Sequence, residues 1–212
     1  MGIVTVFRNR GEGCKVMKKL LLLTLTLFLT GCAVSHVLSP DDDEYERQLS
    51  KSLVIVSISE YGELPASVSG PVSWNPNISY RSLETEQKFR FPAGGEVFAE
   101  DIPGGKVRVV ALEMEPGIYE IFNWTVVRSS GYGNITHKAP RPFSYRFEVN
   151  AAESVYIGEF ALTFSKERGL LGDLKSVDVE MREAFKRDVA IARRTYFHVP
   201  FGDVEQRLAV AK

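Results

Sequence analysis

The chain has 212 residues, 44% of them hydrophobic and 25% charged, which suffices for one domain with a real core. Its formal charge of −1 hides an asymmetry: Arg8, Arg10, Lys15, Lys18 and Lys19 face only Glu12 in residues 1–31, so the remainder holds 21 basic and 26 acidic side chains. A mildly acidic body lacks the footprint for phosphate backbones, which excludes nucleic acid as an expected partner, and it does not favour adsorption onto anionic lipid by surface charge.

Residues 1–16 mix charge and glycine without a period, whereas the pattern from Met17 is ordered, so translation is expected to begin at Met17. The Met1-Gly2 start does not read as a myristoylation signal, because position six is Val6 rather than Ser or Thr. Lys18 and Lys19 precede an apolar run, Leu20 to Leu29, that is too short for the roughly 20 residues of a membrane-spanning helix. Positive flank, short apolar core and small residues are instead the parts of an export signal, expected over residues 1–31.

That leader ends in Leu29-Thr30-Gly31-Cys32, which resembles the lipobox of bacterial lipoproteins. The resemblance implies that the Cys32 thiol receives a diacylglyceryl group, that cleavage occurs before it, and that its new amine is acylated. Two or three acyl chains exceed what stable anchoring needs, each buried methylene contributing about 0.8 kcal/mol. Ala33, where an Asp would resemble an inner-membrane retention signal, points to the outer membrane of a Gram-negative cell, periplasmic side. The other cysteine, Cys14, lies in the leader, so no internal disulfide is expected and stability rests on burial.

Residues 32–52 carry Ser, Pro and the acidic run Asp41 to Glu44 without a hydrophobic period, and read as a lipidated cysteine followed by a tether. Three adjacent acids alternate direction on an extended chain and lack the spacing of a calcium loop, so Asp41, Asp42 and Asp43 read as solvated.

From Leu53 the pattern becomes that of strands. LVIVSIS (53–59), KFRF (88–91), EVFAE (96–100), KVRVVALE (106–113), IYEIFNWTVV (118–127), FSYRFEV (143–149) and SVYIGEFALTF (154–164) are rich in β-branched and aromatic residues and bounded by Gly, Pro or Asn. In FSYRFEV, Phe143, Tyr145, Phe147 and Val149 share one face and Ser144, Arg146 and Glu148 the other. In IYEIFNWTVV the alternation assigns Phe122, Trp124 and Val126 to one face and Tyr119, Ile121 and Val127 to the other, a central strand. Pro103-Gly104-Gly105 and Glu115-Pro116-Gly117 are turns, and the regions 64–86 and 131–145 read as the longest irregular loops.

After a strand KSVDVEM (175–181), Met181, Phe185, Val189, Ala192 and Tyr196 fall on one helical stripe that should end before Pro200. The fold expected over residues 53–212 is therefore mainly β: an antiparallel β-sandwich with one C-terminal amphipathic α-helix packed on it.

The chain carries no strong catalytic motif. His36, His137 and His198 lie far apart in sequence with no short-spaced ligand pair, so no metal or other cofactor is expected. Gly-x-Ser-x-Gly is absent. Glu113, Glu115, Glu148, Glu159 and Asp178 are the acids from which a glycosidase pair would have to come, but acids on strands usually serve solubility. Asn77, Asn123 and Asn134 stand in Asn-x-Ser/Thr sites that matter only in a eukaryotic secretory setting, which the lipobox argues against.

Met114-Glu-Pro-Gly-Ile-Tyr119, Pro142-Phe-Ser-Tyr-Arg-Phe-Glu-Val149, Val155-Tyr-Ile-Gly-Glu159 and Lys186-Arg-Asp-Val-Ala190 resemble segments of small bacterial outer-membrane lipoproteins of uncharacterised function, whose domain is similar to prealbumin-like or carboxypeptidase-regulatory-like sandwiches. The resemblance implies a fold and a location rather than an activity. Pro-Gly makes the turn into a strand, and Tyr-Ile-Gly sets a small residue where strands approach closely. The expectation is a non-catalytic binding or envelope-structural module. It is tied to the membrane through Cys32, with an envelope protein as the alternative partner, and a hydrolase ranks behind both.

Overall fold

A computed structural model of the full chain describes residues 36–39, 45–46, 48–62, 73–91, 99–130, 133–166 and 174–212. Two sheets pack face to face, and a helix covers the outer side of one of them.

The first sheet has the order β1 (His36–Val37), β6 (Gly105–Met114), β2 (Ser52–Tyr61), β10 (Ser154–Lys166), β11 (Leu174–Arg182). β5 (Glu100–Ile102) adds to β6, and β12 (Val204–Gln206) adds to β10. The second sheet has the order β13 (Val210–Ala211), β9 (Tyr145–Val149), β7 (Gly117–Ser130), β3 (Ser73–Ser82), β4 (Lys88–Phe91), with β8 (Gly133–Lys138) also on β7. Most pairs are antiparallel, as expected, but β10 runs parallel to both β2 and β12. The helix α1 spans Phe185–Thr195.

β2 is buried on both faces of the first sheet, which explains why it reads as a nearly continuous apolar run. Val54, Val56 and Ile58 join the core between the sheets, while Leu53 and Ile55 pack with Val189, Ile191, Ala192 and Tyr196 under α1. The segment expected as a tether contributes to this second core: β1 pairs with β6, Leu38 is buried, and its N–H donates to the Ala111 carbonyl at 3.0 Å.

Glu115-Pro116-Gly117 carries the chain from β6 in the first sheet to β7 in the second. Gly117 takes a φ of +155° there, and the buried Tyr119 hydroxyl reaches back to donate to the Glu115 carbonyl at 2.8 Å. In β9 the expected alternation holds, with Phe147 and Val149 buried and Arg146 and Glu148 exposed. In β7 it does not. Ile121 pairs with Tyr80 but Asn123 pairs with Ser79, so one extra residue, Phe122, bulges and the faces switch. Tyr119, Ile121, Trp124 and Val126 all enter the core, while Phe122 and Asn123 both lie outside it, partly exposed.

Two regions read as irregular contain strands. β3 carries Pro76, which argues against a central strand; but β4 pairs only Ile78 to Arg81, and among the described residues no strand pairs with the second side of β3 at Pro76. β8 lies within the region 131–145 and includes His137, which is therefore on a strand and not in a loop. The helical stripe holds from Phe185 to Tyr196, whereas Met181 belongs to β11. Among the described residues no helix is long and apolar enough to cross a membrane.

Candidate functional site

The strongest concentration of ionisable groups lies where α1 meets the first sheet. β2 supplies Ser57, Ser59 and Tyr61 to that face, β10 supplies Tyr156 and Glu159, and the first turns of α1 supply Arg187 and Asp188. Glu159 reaches this face only through a second bulge: Tyr156 pairs with Ile55 but Glu159 pairs with Ser57, so β10 spends one extra residue. The bulge centres on Gly158 at φ +125°, where an added Cβ would overlap the Met181 sulfur. The small residue expected at a close approach in Tyr-Ile-Gly therefore has a concrete neighbour.

Arg187 is the hub. Its Nη2 donates to Glu159 Oε1 at 2.6 Å, its Nε to Asp188 Oδ1 at 2.8 Å, and its Nη1 to the Tyr61 hydroxyl at 3.4 Å. Asp188 Oδ2 also accepts from Ser57 at 2.5 Å and from Tyr156 at 2.7 Å. Glu159 Oε1 accepts from Ser59 and, at 3.1 Å, from Tyr61. The Arg182 guanidinium lies 5.2 Å from the Tyr61 ring centroid.

Glu159 is 2% exposed and Asp188 not at all. Burial pushes the Asp188 carboxyl above its ordinary range, although Arg187, Ser57 and Tyr156 all donate to it and act the other way. Burial and the neighbouring Asp188 push the Tyr156 phenol well up. Burial pulls the Arg187 guanidinium down, but hydrogen bonds to Asp188, Glu159 and Tyr61 outweigh it and hold the cation firmly charged. One arginine set between two enclosed carboxylates is an arrangement for clamping a helix to a sheet. It offers no free acid to a substrate.

Of the acids singled out from the sequence, Glu113 and Glu115 meet at one lysine, and the other three lie elsewhere on the sheets. Glu113 accepts from Tyr45 at 3.0 Å and from Lys51 at 3.3 Å, and Glu115 shares only that lysine, at 3.9 Å. Glu148 is exposed on β9 in the second sheet, Asp178 is exposed on β11, and Glu159 is in the clamp. Cys32 and the acidic run lie outside the described residues. His36, His137 and His198 fall on β1, on β8 and after α1, and among the described residues no group of three or more metal-ligating side chains occurs.

Sequence reasoning gave no role to Ser57, Ser59, Arg187 and Asp188, although the last two stand in the segment Lys186-Arg-Asp-Val-Ala190. The signal was present: two serines interrupt the inner half of an apolar strand, and an aspartate sits beside Val189 on the apolar stripe of the helix.

No family model, no curated protein and no solved structure matches the chain. The functional reading therefore rests on geometry.

One accessible feature is a cleft of about 240 Å³ lined by Trp124, Pro140, Phe143, Tyr145, Val177 and Val179, with Arg141 and Asp178 among its charged walls. β11 forms one wall and ends the first sheet, and among the described residues no strand pairs with its outer edge. Val177, Val179 and Met181 face the core between the sheets, while Asp178 and Glu180 are exposed.

Proposed function

We propose that this protein is a lipid-anchored lipoprotein of a Gram-negative outer membrane, periplasm-facing, held through acyl chains on Cys32 and acting as a non-catalytic binding module on a β-sandwich scaffold. The observation that supports the binding role best is the Trp124 cleft lying against the open edge of β11. A cleft lined mainly by apolar side chains beside a strand edge that no described strand covers suits a protein ligand presented as an extended strand. The enclosure of Glu159 and Asp188 supports a structural role for the ionic cluster around Arg187.

The same edge favours a second reading, an accessory subunit of an envelope assembly whose partner adds a strand to β11. The chain joins the first sheet through β1 on β6, at the side opposite β11, so the open edge lies away from that entry point.

Two measurements test this. Cys32→Ser should release the protein from membranes, and globomycin should accumulate its precursor; unchanged fractionation of the variant sinks the anchoring. A photo-crosslinking side chain at Asp178 should trap one envelope protein in cells, while the same probe at Leu49, 76% exposed, should not. A monomeric pattern from Asp178 removes the partner-strand reading.

A further inference from the structure

We propose that the outer face of the second sheet is a binding site for an acidic glycan, a saccharide chain bearing carboxylates, built around Phe122 and independent of the β11 edge.

The site begins with the bulge in β7. A regular strand would return Asn123 to the core; the extra residue leaves Phe122 and Asn123 together on the outer face while Trp124, 4% exposed, turns inward. Bulges re-aim side chains at the cost of an interrupted ladder, and here the result is a phenyl ring and a carboxamide side by side.

Cross-strand register then surrounds them with charge. One row across the sheet runs Lys88, Arg81, Glu120, Arg146, and the next runs Arg90, Ser79, Asn123. Glu120 is 4% exposed and occupied: Arg81 donates to it at 2.8 and 2.5 Å, Ser144 at 2.6 Å, and Arg146 lies 3.5 Å away. The sole acid of these two rows is thus satisfied. Lys88 and Arg90, both exposed, form no ion pair among the described residues. Arg81 and Lys88 also sit over the Phe122 ring, 5.4 and 5.9 Å from its centroid. Ser79, Lys88, Phe89, Arg90, Phe122 and Asn123 enclose a concavity of about 460 Å³.

Each part asks for a different part of the ligand. Two uncompensated cations, one a guanidinium, ask for a carboxylate. A half-buried phenyl ring offers, beside the cations over it, apolar surface for the C–H groups of a sugar to rest against. Asn123 and Ser79 supply a carboxamide and a hydroxyl for sugar hydroxyls. The depression opens on the outer face of the sheet, so a chain can pass across it. A nucleic acid is disfavoured by the acidic balance of the body, 21 basic against 26 acidic side chains. A bilayer surface needs apolar groups standing proud, whereas Phe122 is half-buried with two cations over its ring.

The test uses the full chain carrying Cys32→Ser, so that acyl chains do not contribute, and measures calorimetric binding of oligogalacturonate, neutral dextran oligomers and anionic phospholipid vesicles. Saturable binding of oligogalacturonate alone is expected, weakened about tenfold or more by Phe122→Ala and by the pair Lys88→Gln and Arg90→Gln, and retained by Phe122→Tyr. Phe122 lies outside the core, and a wild-type melting temperature for Phe122→Ala separates loss of the site from loss of the fold. Absence of oligogalacturonate binding overturns the proposal, as does equal binding by Phe122→Ala, which would mean bulk charge attraction. Vesicle binding that Phe122→Ala abolishes would make the face a lipid surface instead.

Discussion

Arg187 and Glu159 meet at 2.6 Å across the boundary between α1 and β10, with the glutamate side chain 3% exposed and the arginine side chain 30% exposed. The pair is a bridge with one end in the interior and one at the rim. Removing the rim end leaves Glu159 and Asp188 enclosed without their cation. Arg187→Met should therefore destabilise the protein by about 3 kcal/mol or more in chemical denaturation, since breaking a buried pair from one side leaves an uncompensated charge. Arg187→Lys should recover only part of this, because an ammonium cannot serve Glu159, Asp188 and Tyr61 from one planar fork.

Gly158→Ala should cost about 2 kcal/mol or more, from a φ of +125° that L side chains rarely adopt and from overlap of the new methyl with the Met181 sulfur. Pairing it with Met181→Ala should relieve the overlap but not the backbone strain. A double variant as stable as Met181→Ala alone would show that the bulge does not require glycine.

Tyr119→Phe should lower stability by about 1 kcal/mol through loss of the bond to the Glu115 carbonyl at the β6–β7 corner. Burial, with Glu115 and Glu84 nearby, holds the Tyr119 phenol up at about 12. In an ultraviolet titration the variant should lose one late-titrating tyrosine and leave the ordinary phase near pH 10 unchanged.

Stability on the acid side should depend on Glu120. The Ser144 hydroxyl pulls its carboxyl down; burial acts upward but is outweighed once Arg81 and Arg146 add to the pull, and the net position is below the ordinary 4.5. A depressed carboxylate contributes stability that is complete above its unfolded value and is lost as pH falls through its folded one. Glu120→Gln should therefore flatten the fall of melting temperature below about pH 4.5. Asp188 acts in the opposite sense: burial raises it above 3.8, so its contribution is complete below that value and declines as pH rises through the folded one. Asp188→Asn should remove that declining component, and an unchanged pH profile would show that Asp188 does not titrate as its burial dictates.

Much of the fold was legible because strand and helix periods are local. KFRF is β4 residue for residue, the runs at Leu53, Lys106 and Ser154 are β2, β6 and β10 to within a few residues, and the stripe from Phe185 to Tyr196 is α1 with its cap turn. β3 was not legible, because Pro76 between two asparagines reads as a break until it is known that, among the described residues, β4 stops short of it at Ile78. Phe122 was placed with Trp124 because alternation counts every second residue, and nothing local announces a bulge.

By itself the sequence determined a mainly β sandwich with a C-terminal helix, because backbone period and turn chemistry are set by neighbours in the chain. Only the tertiary structure decided which side chains meet. Ser57 and Asp188 are 131 residues apart and bond at 2.5 Å, and Glu159 joins them because one residue inserted at Gly158 reverses the face on which it stands. The physical reason is the two-residue period of a strand: a single extra residue exchanges inside for outside, and whether one is inserted depends on register with a neighbour the chain has yet to find.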